Sequence, residues 1–471
     1  MTTVSAPPVA SPAPPAPHRA TLPIILSGVF MSSLDFFIVN VAIPSMERDL
    51  TAGAAAIQWI VAGYGIASGI ALITAGRLGD LYGRRRLFII GMALFTLASA
   101  VCGLAPDAGV LVAARVVQGL AAALMSPQVL AILRSSYAGA AQARAFSTYA
   151  LTMGLAAVFG QLVGGVLIQA DLFGLGWRAC FLINIPIGAV ALALAPRLVP
   201  ESRGPGTSRL DTGGVILLTL ALVALVLPLV QGREQGWPLW IWPSFAISAA
   251  LFGTFAAHQR RRGVSALVDL ELFRERAFTA GLLAQLAFWM GQASFFLVFA
   301  LYVQRGRGLD ALQAGLIFMA IGAGYLATSL TAHHLARRLG RQVIALGALI
   351  MAVGLGLLLA TAASIGTSGH MGWLIPALIV DGAGMGMAVA PLATTVLARV
   401  TPAHAGAASG VLSTAQQIGN SLGVALIGIV FYAAAESAGF LGAFERSLPY
   451  LIGVELLLAL LVQLLPRRSH Q

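Results

Sequence analysis

The sequence is poor in charged residues and contains no lysine. Only 10% of its 471 residues are Asp, Glu, Lys or Arg, whereas an ordinary soluble domain carries roughly 25%. So few ionised side chains cannot cover the surface of a soluble protein of this length. A soluble enzyme and a disordered regulatory chain are therefore excluded.

Cysteine is equally scarce. The two cysteines, Cys102 and Cys180, lie in apolar segments and are interpreted as small core residues, which excludes a secreted disulfide scaffold. The sequence also has no phosphate-binding loop, no His-Glu-x-x-His motif and no pair of nucleophile and base. An ATP-driven pump, a membrane enzyme, a metal site and a cofactor are therefore not expected.

Long apolar runs dominate the chain, which is 58% hydrophobic with a mean hydropathy of +0.89. A helix that crosses about 30 Å of hydrocarbon needs ~20 such residues. Fourteen segments meet this requirement and predict an all-α integral membrane protein. The segments are 22–43, 57–75, 87–105, 109–133, 145–169, 179–196, 212–231, 240–258, 278–302, 311–331, 343–363, 372–396, 406–432 and 448–465.

The arginines are distributed unequally over the loops between these segments. With the N-terminus inside, 21 arginines fall on the inner side, six on the outer side, and Arg115 within a span. Because positive residues favour the cytoplasmic side, the split predicts a plasma (inner) membrane protein with both termini in the cytoplasm. The net charge of +11 thus reflects topology in a lipid bilayer, and nucleic acid is not an expected partner.

Four ionisable residues lie well inside predicted spans, where each costs about 2.5–3.5 kcal/mol. They are Asp35, Arg115, Asp381 and Glu455. Asp35 and Arg115 lie roughly 12 Å and 9 Å from the outer ends of their helices, so they can meet at similar depth. Such a pair can change partners when the carboxylate is protonated; the alternative is a static pair that fixes helix register. Asp381 is a candidate cavity carboxylate or a helix-packing acid, and Glu455 a candidate for contact with a partner or with lipid.

Two inner loops match at an offset of 257 residues. Gly340 and Arg341 in the loop after the tenth span correspond to Gly83 and Arg84 after the second span. The equivalent positions predict two parallel six-helix bundles with two inserted helices. The expected domains are a disordered cytoplasmic tail (1–20), a first bundle (21–196), the inserted helices with their flanking loops (197–277), and a second bundle with a short cytoplasmic tail (278–471).

The first of these loops is interpreted as a conformational latch. Its glycines permit a tight turn, its aspartate can cap a helix or accept from an arginine, and its arginines can face anionic headgroups or bridge to the other half. The alternative is a loop that only orients the chain by its positive charge. The latch residues are Gly76, Gly79, Asp80, Gly83, Arg84 and Arg85.

This loop resembles the signature of the major facilitator superfamily, and segments along nearly the whole chain support the resemblance. The segment Leu34–Pro44 resembles the first-helix motif of its fourteen-helix drug:proton antiporters. The segment Arg115–Gly119 is similar to their proton-coupling motif. The resemblance implies the major facilitator fold and a proton-coupling role for Arg115 and Gln118, and we add Asp35 as the carboxylate that exchanges the proton.

The fifth span is similar to the antiporter motif of the same family, with one departure. Its residues are Gly154, Gly160, Gln161, Gly164 and Gly165. The family usually has proline at the position of Gln161, so a kink is not assured here. Two interpretations stay open: the helix lacks the kink, or Gln161 lines the cavity as a hydrogen-bonding group.

The sequence as a whole predicts a proton-coupled antiporter that exports drug-like or lipophilic small molecules by alternating access and acts as a monomer. The alternatives are an exporter of one secreted metabolite, a proton-coupled importer and a non-transporting membrane receptor. A pocket for flat or cationic compounds is expected from aromatic and polar residues. The candidates are Asp381, Asn40, Trp59, Tyr64, Phe36 and Trp289.

Overall fold

The computed structural model describes residues 18–203, 211–232, 235–262, 267–268, 270–397 and 405–465. Every regular element within these residues is helical, as the apolar runs predict. The α-helices are α1 (Thr21–Asp49), α2 (Ala54–Tyr82), α3 (Arg84–Gly103), α4 (Ala108–Ser136), α5 (Gly139–Ala170), α6 (Ala179–Leu182), α7 (Asn184–Leu198), α8 (Thr212–Gln231), α9 (Ile241–Arg262), α10 (Arg276–Leu301), α11 (Ala311–Leu339), α12 (Gln342–Ile365), α13 (Ile375–Leu397) and α14 (Ala405–Val462). Short 3-10 turns cover Leu172–Gly174, Gly176–Arg178, Leu270–Arg274 and Met371–Leu374, and a π turn covers Tyr302–Gly306.

Twelve helices in the described part of the chain are long and apolar enough to cross a membrane, or thirteen if the bent helix α5 counts as one span. Helix α14 has 58 residues and is broken at Gly439, where φ is 67°. At a rise of 1.5 Å per residue it is about twice as long as a bilayer is thick, and it includes both of the last two predicted spans. The all-α multi-pass architecture is confirmed, whereas the count of fourteen stays a prediction.

The two related inner loops end their helices in the same way. Gly83 follows Tyr82 at the end of α2 with φ of 109°, and Gly340 follows Leu339 at the end of α11 with φ of 57°. Positive φ favours glycine because it has no Cβ. Each glycine N–H donates to the carbonyl oxygen four residues earlier, at 2.9 Å and 2.8 Å. The two loops therefore share a positive φ and a hydrogen bond at the glycine, although the ψ angles of Gly83 and Gly340 differ, at 129° and −134°.

Aspartate side chains begin three of the long helices. Asp107, Asp211 and Asp310 precede α4, α8 and α11, and each accepts a hydrogen bond from a backbone N–H of the first turn at 2.8 to 2.9 Å. These caps satisfy donors that have no partner within the helix. The cap at Asp107 also sets the depth of Arg115, which lies two turns further along α4.

Helices α8 and α9 pair with each other, and α8 also contacts α2 and α14. Where α8 begins and α9 ends, the buried carboxylate of Asp211 accepts hydrogen bonds from His258 at 2.7 Å and from Gln259 at 2.8 Å. Gln259 Oε1 in turn accepts from the backbone N–H of Val268 at 3.0 Å. Burial alone raises the pKa of Asp211, but the hydrogen bonds from His258, Gly214 and Gln259 outweigh it and lower this pKa to about 2.

The remaining helices form two groups that meet through small residues. The first group contains α1–α7 and the second group contains α10–α14. Helix α5 contacts α11, and α2 contacts α14. A Cβ on Gly165 would lie 2.4 Å from the carbonyl oxygen of Ala311, and one on Gly315 would lie 2.7 Å from the carbonyl oxygen of Gln161. Only glycine permits this approach of the backbones, which is typical of helix pairs in membranes.

Candidate functional site

Asp35 of α1 and Arg115 of α4 form an ion pair inside the first group of helices. Both side chains are fully buried, and Arg115 Nη1 donates to Asp35 Oδ2. A buried pair of this kind is favourable only where hydrogen bonds satisfy most of its remaining polar atoms; in the described part of the chain, Arg115 Nη2 has no such partner. The sequence predicted that the two residues lie at similar depth, and the structure brings them into contact.

Neutral polar side chains surround the carboxylate. Gln118 Nε2 donates to Asp35 Oδ1 at 2.8 Å, and Asn184 Nδ2 donates to the same oxygen at 3.1 Å. The hydroxyl oxygen of Ser99 accepts from both amides, at 2.6 Å and 3.0 Å. Gln118 Oε1 also accepts from Arg115 Nη1 at 2.7 Å. Three helices besides α1 thus orient the two charged groups.

Tyr64 of α2 contacts both the ion pair and the neighbouring cavity. The centre of its ring lies 4.3 Å from the guanidinium carbon of Arg115, and its hydroxyl donates to the carbonyl oxygen of Ser32 at 3.3 Å. One turn earlier, the carbonyl oxygen of Ile60 accepts from Arg115 Nε at 3.0 Å. Tyr64 lines the cavity, whereas Asp35 and Arg115 do not. The ring therefore shields the ion pair from the cavity.

A cavity of 730 Å³ lies between the two groups of helices, a volume suited to a small organic molecule. Helices α1, α2, α4 and α5 line one side, and α10, α11, α13 and α14 line the other. Eight aromatic side chains contribute to its wall: Phe36, Phe37, Tyr64, Tyr149, Trp289, Phe296, Phe318 and Tyr325. One end is lined by Arg77, Asp80, Arg84 and Arg134; we call it the arginine end.

Three of the six predicted cavity residues line this cavity, namely Phe36, Tyr64 and Trp289. Asn40 does not, because its side chain is buried and donates to the carbonyl oxygen of Phe37 at 3.2 Å. Trp59 packs against the hydrophobic core instead. Asp381 is buried within the second group of helices. For these three residues the cavity prediction is not met.

The two groups of helices touch at the end of the molecule opposite the arginine end. Arg305, in the π turn after α10, donates to Glu47 Oε2 in the last turn of α1 through Nη2 at 2.5 Å and Nε at 3.1 Å. Deeper along the same helices, the rings of Phe37 and Phe296 lie 5.4 Å apart. The cavity therefore reaches the arginine end, while an ion pair joins the two groups at the other.

The predicted latch makes its hydrogen bonds within the first group of helices. Asp80 and Arg84 form an ion pair at 2.8 Å, and Arg84 Nη1 lies 3.5 Å from the carbonyl oxygen of Ala131 in α4. The backbone N–H of Arg85 donates to Glu201 Oε1 at 3.0 Å. Among the described residues, no hydrogen bond joins the Asp80, Arg84 or Arg85 side chains to the second group.

The latch glycines occupy three different environments. Gly76 lines the cavity. Gly79 lies against Gln128 of α4, whose amide oxygen would be 1.9 Å from a Cβ at this position. Gly83 ends α2 beside the carboxylate of Glu201. The loop is thus held closely against α4 and the segment that follows α7.

The glycines of the antiporter motif place α5 between the two groups of helices. Gly160 and Gly164 lie against α1, in contact with Phe37 and Ile38, and Gly154 lies against Tyr325 of α11. Gly165 contacts Ala311 at the beginning of α11, as described above. The motif therefore serves close packing on both sides of the helix.

The departure at Gln161 does not remove the bend. Helix α5 bends by 43° between Arg144–Ala157 and Phe159–Ala170 without a proline. Gln161 is 1% exposed and lines the cavity, and neither its amide nitrogen nor its amide oxygen has a hydrogen-bond partner in the described part of the chain. Gln161 thus lies at the cavity wall, and its role as a hydrogen-bonding group there stays a prediction.

Residues 25–424 match the family model described as Major Facilitator Superfamily. The chain belongs to this superfamily. It is a multi-pass membrane transporter and not an enzyme.

The probable actinorhodin transporter of Streptomyces coelicolor is 39% identical to it over 433 residues, which cover 90% of this chain and 74% of the relative. The multidrug resistance protein Stp of Mycobacterium tuberculosis is 32% identical over 449 residues, which cover 94% and 81%. The crystal structure of a D-xylose-proton symporter superposes with a TM-score of 0.66 at 18% identity, covering 95% of this chain and 97% of that one; at this identity it shows the fold alone.

The second group of helices in this superfamily member buries two acids. Asp381 of α13 is 3% exposed and Glu455 of α14 is 2% exposed. Asp381 Oδ2 and Glu455 Oε2 have no hydrogen-bond partner among the described residues. Glu455 lies inside the bundle against Gly291 of α10, so its interpretation as a lipid-interface residue is wrong.

Several functional contacts of this transporter were not found by sequence reasoning. Ser99 looks like any small polar residue of an apolar helix, and its contact with two amides depends on the rotation of α3. Glu47 and Arg305 lie 258 positions apart at the ends of different helices. A signal existed only for Asn184, a polar residue within an apolar span.

Proposed function

We propose that the protein exports small molecules from the cytoplasm in exchange for protons by alternating access. The observation that carries the proposal is the fully buried ion pair between Asp35 and Arg115, whose guanidinium group contacts the Tyr64 ring in the wall of a cavity between the two groups of helices. Intramembrane charges are costly and are typical of proton and substrate pathways. The exchange of a proton at Asp35 is the chemistry that this arrangement supports best.

Protonation of Asp35 changes the free energy of the buried pair. The neutral acid no longer balances the guanidinium charge of Arg115, which is expensive to leave unpaired in an apolar interior. The chain then favours a conformation in which water reaches Arg115. A proton that binds Asp35 from outside and leaves to the cytoplasm thereby drives the helices between two arrangements.

The two ends of the cavity support alternating access. In this conformation the cavity reaches the arginine end, which the distribution of arginines assigns to the cytoplasm. The pair of Glu47 and Arg305 joins the groups at the other end. In the opposite arrangement we expect that pair to break and the latch side chains Arg84 and Arg85 to bridge the two groups.

Outward transport is supported by the names of the relatives, one an actinorhodin transporter and one a multidrug resistance protein. The glycine motif of α5, Gly154 to Gly165, supports the same direction because it resembles the antiporter motif. We place the protein in the plasma (inner) membrane as a monomer, with two inserted helices between its six-helix bundles. An exporter dedicated to one metabolite would use the same ion pair and the same cavity, but its cavity would accept a narrower range of molecules.

Everted membrane vesicles that acidify their lumen test this proposal. In such vesicles, export corresponds to accumulation of a planar dye in the lumen. Because the charge of the cargo is not fixed by the proposal, anionic, neutral and cationic dyes are each tested. We expect accumulation that a protonophore abolishes, and that Asp35→Asn abolishes as well. Asp381→Asn is the matched control, a buried acid outside the cavity, and retains accumulation. Accumulation that is indifferent to the protonophore contradicts proton coupling.

A further inference from the structure

One residue in the wall of the cavity belongs to neither group of helices. Of the described residues that line the cavity, all except Leu267 lie in α1–α5 or in α10–α14. Leu267 follows the inserted helix α9, and its side chain is 1% exposed and belongs to the same hydrophobic core as both groups. The two groups therefore leave a gap in the wall at this position, and Leu267 fills it.

The inserted helices cover the seam where α2 of the first group meets α14 of the second. Helix α8 contacts both α2 and α14. Because α8 and α9 are themselves long and apolar enough to cross a membrane, the seam that they cover faces lipid. At the start of α8, Asp211 lies near Arg77, which lines the arginine end of the cavity. The backbone N–H of Leu267 donates to Asp211 Oδ2 at 3.4 Å, so Leu267 fills the seam at this end.

Two side chains of the inserted helices fix the backbone of Leu267 and Val268, a pair that we call the strap. Besides the bond from Leu267 to Asp211, the backbone N–H of Val268 donates to Gln259 Oε1 at 3.0 Å. Gln259 Nε2 in turn donates to Asp211 Oδ2 at 2.8 Å. Asp211 is 0% and Gln259 is 1% exposed. Release of the strap would leave buried polar atoms without partners, which costs free energy.

Gly214 in the first turn of α8 permits this arrangement. A Cβ at this position would lie 2.5 Å from Gln259 Nε2, so a side chain would push the amide away from Asp211. The pairing of α8 with α9 does not depend on this contact alone, since Ser248 Oγ of α9 also donates to the carbonyl oxygen of Ala221 in α8 at 2.8 Å. The contact between Gln259 and Asp211 therefore serves the strap as well as the helix pair.

We propose that the inserted helices α8 and α9 hold the strap across the seam between α2 and α14, where Leu267 closes the cavity against the lipid of the inner leaflet. Asp211 and Gln259 are the positioning residues of this seal. Cargo then enters through the arginine end and not through this seam. The inference rests on the proposed function for the use of the cavity by cargo, but not for the seal itself.

Labelling of a cysteine at Leu267 tests whether Gln259 holds the strap. Leu267→Cys is purified as the full-length chain in detergent, and its reaction with a fluorescent maleimide is followed. The chain without this substitution gives the background, since Cys102 and Cys180 are buried. Gln259→Leu keeps the side-chain volume but removes the amide, and we expect it to accelerate labelling at least about fivefold. Unchanged labelling in Gln259→Leu contradicts the positioning role.

Ser248→Ala is the matched control. Ser248 is also buried in α9, and its loss weakens the contact with α8 without removing a bond to the strap. We expect it to leave labelling at Leu267→Cys unchanged. Equal acceleration in Ser248→Ala and Gln259→Leu overturns the positioning role, because the helix pair as a whole would then bury Leu267. If Gln259→Leu does not fold, Asp211→Asn replaces it, since it weakens the acceptor of the Leu267 N–H at nearly constant volume.

Entry of an apolar reagent from the bilayer tests the seal. Ser413 of α14, which lines the cavity, is replaced by cysteine in proteoliposomes. Leu267→Ala should accelerate labelling by a lipid-soluble pyrene maleimide several-fold and leave labelling by a charged, water-soluble maleimide unchanged. Leu272→Ala truncates a buried leucine outside the described cavity wall and should change neither rate.

The seal is contradicted if Leu267→Ala accelerates neither reagent, or both reagents equally, or if Leu272→Ala has the same effect. These labelling rates need no proton gradient and no transported cargo. Their failure is therefore distinct from a failure of proton coupling in vesicles.

Discussion

The ring of Tyr64 covers the guanidinium group of Arg115 at 4.3 Å, and the same ring forms part of the cavity wall. This relationship connects the buried charges to the cavity in which we propose that the cargo binds. A ligand that displaces the ring would bring water or its own polar groups to Arg115. Tyr64 is therefore the contact through which cargo and proton can influence each other.

Tyr64→Ala should uncouple the transporter. Removal of the ring opens a path from the cavity to Asp35, so protons can reach and leave the carboxylate without cargo. We expect a several-fold faster collapse of a pH gradient across proteoliposomes that contain no substrate. Tyr64→Phe keeps the ring over Arg115 and should behave like the unmodified protein. An equal leak in both variants would show that the hydroxyl, which bonds to Ser32, is what matters.

Glu47→Gln should weaken the contact between the groups of helices at the outer end. The pair with Arg305 is partly exposed, so we expect a loss of about 1 kcal/mol, or roughly fivefold in the conformational equilibrium. The measurement is the rate at which an impermeant maleimide labels a cysteine placed at Phe37 in intact cells. Labelling should accelerate in Glu47→Gln and return to the original rate when Glu47 and Arg305 are exchanged.

Arg307→Gln is the control for that experiment. Arg307 donates to the carbonyl oxygens of Gly366 and Gly369, within the second group of helices. Its loss should leave the labelling rate unchanged, because no contact between the groups is removed. If Arg307→Gln and Glu47→Gln accelerate labelling to a similar extent, the labelling rate reports a general loosening of the protein and not the loss of the contact between the two groups of helices.

Asp381→Asn should stabilise the protein. Both acids are buried, and Asp381 Oδ2 and Glu455 Oε2 have no hydrogen-bond partner among the described residues, so an amide in place of either carboxyl avoids the cost of burying an ionised group. We expect a higher Tm in detergent for Asp381→Asn and for Glu455→Gln. Asp35→Asn should instead lower the Tm, since it leaves Arg115 without its counter-ion. A lower Tm in both the Asp381→Asn and the Glu455→Gln variants would contradict this cost of burial.

Asp211 should make stability depend on pH in the acidic range. Its pKa is about 2 in the folded chain, below the ordinary value of 3.8, so the ionised carboxylate stabilises the fold above that value. The contribution of about 2 kcal/mol is lost as the pH falls from about 5 towards 2. Asp211→Asn should therefore lower the Tm at pH 7 and show a smaller decrease on acidification. A variant with the same pH profile as the unmodified protein would exclude this contribution.

The depth of charged residues could be predicted from the sequence, but the rotation of helices could not. Counting from the helix ends placed Asp35 and Arg115 at one level, and the structure joins them. Tyr64 and Trp59 lie five residues apart on α2, so they face different directions. Only the packing of α2 determines that Tyr64 lines the cavity and Trp59 does not.

Contacts between distant helices were equally hidden. Asp381 and Glu455 are each visible as intramembrane acids, but their burial inside the second group depends on how α13 and α14 pack against the other helices. Glu47 and Arg305 look like ordinary loop-end charges until the two groups of helices are assembled. Gly83 and Gly340 were predictable because a local turn, fixed within a few residues, determines their conformation.

Proton flux during transport tests the central claim most directly. Proteoliposomes that contain a pH-sensitive dye and the full-length chain receive a transported dye on one side, and both fluxes are followed together. The account predicts that cargo movement in one direction is accompanied by proton movement in the other. In Asp35→Asn it predicts cargo exchange without proton movement. If protons still move in Asp35→Asn, at the same ratio to cargo as in the unmodified protein, the result contradicts the assignment of the proton to Asp35.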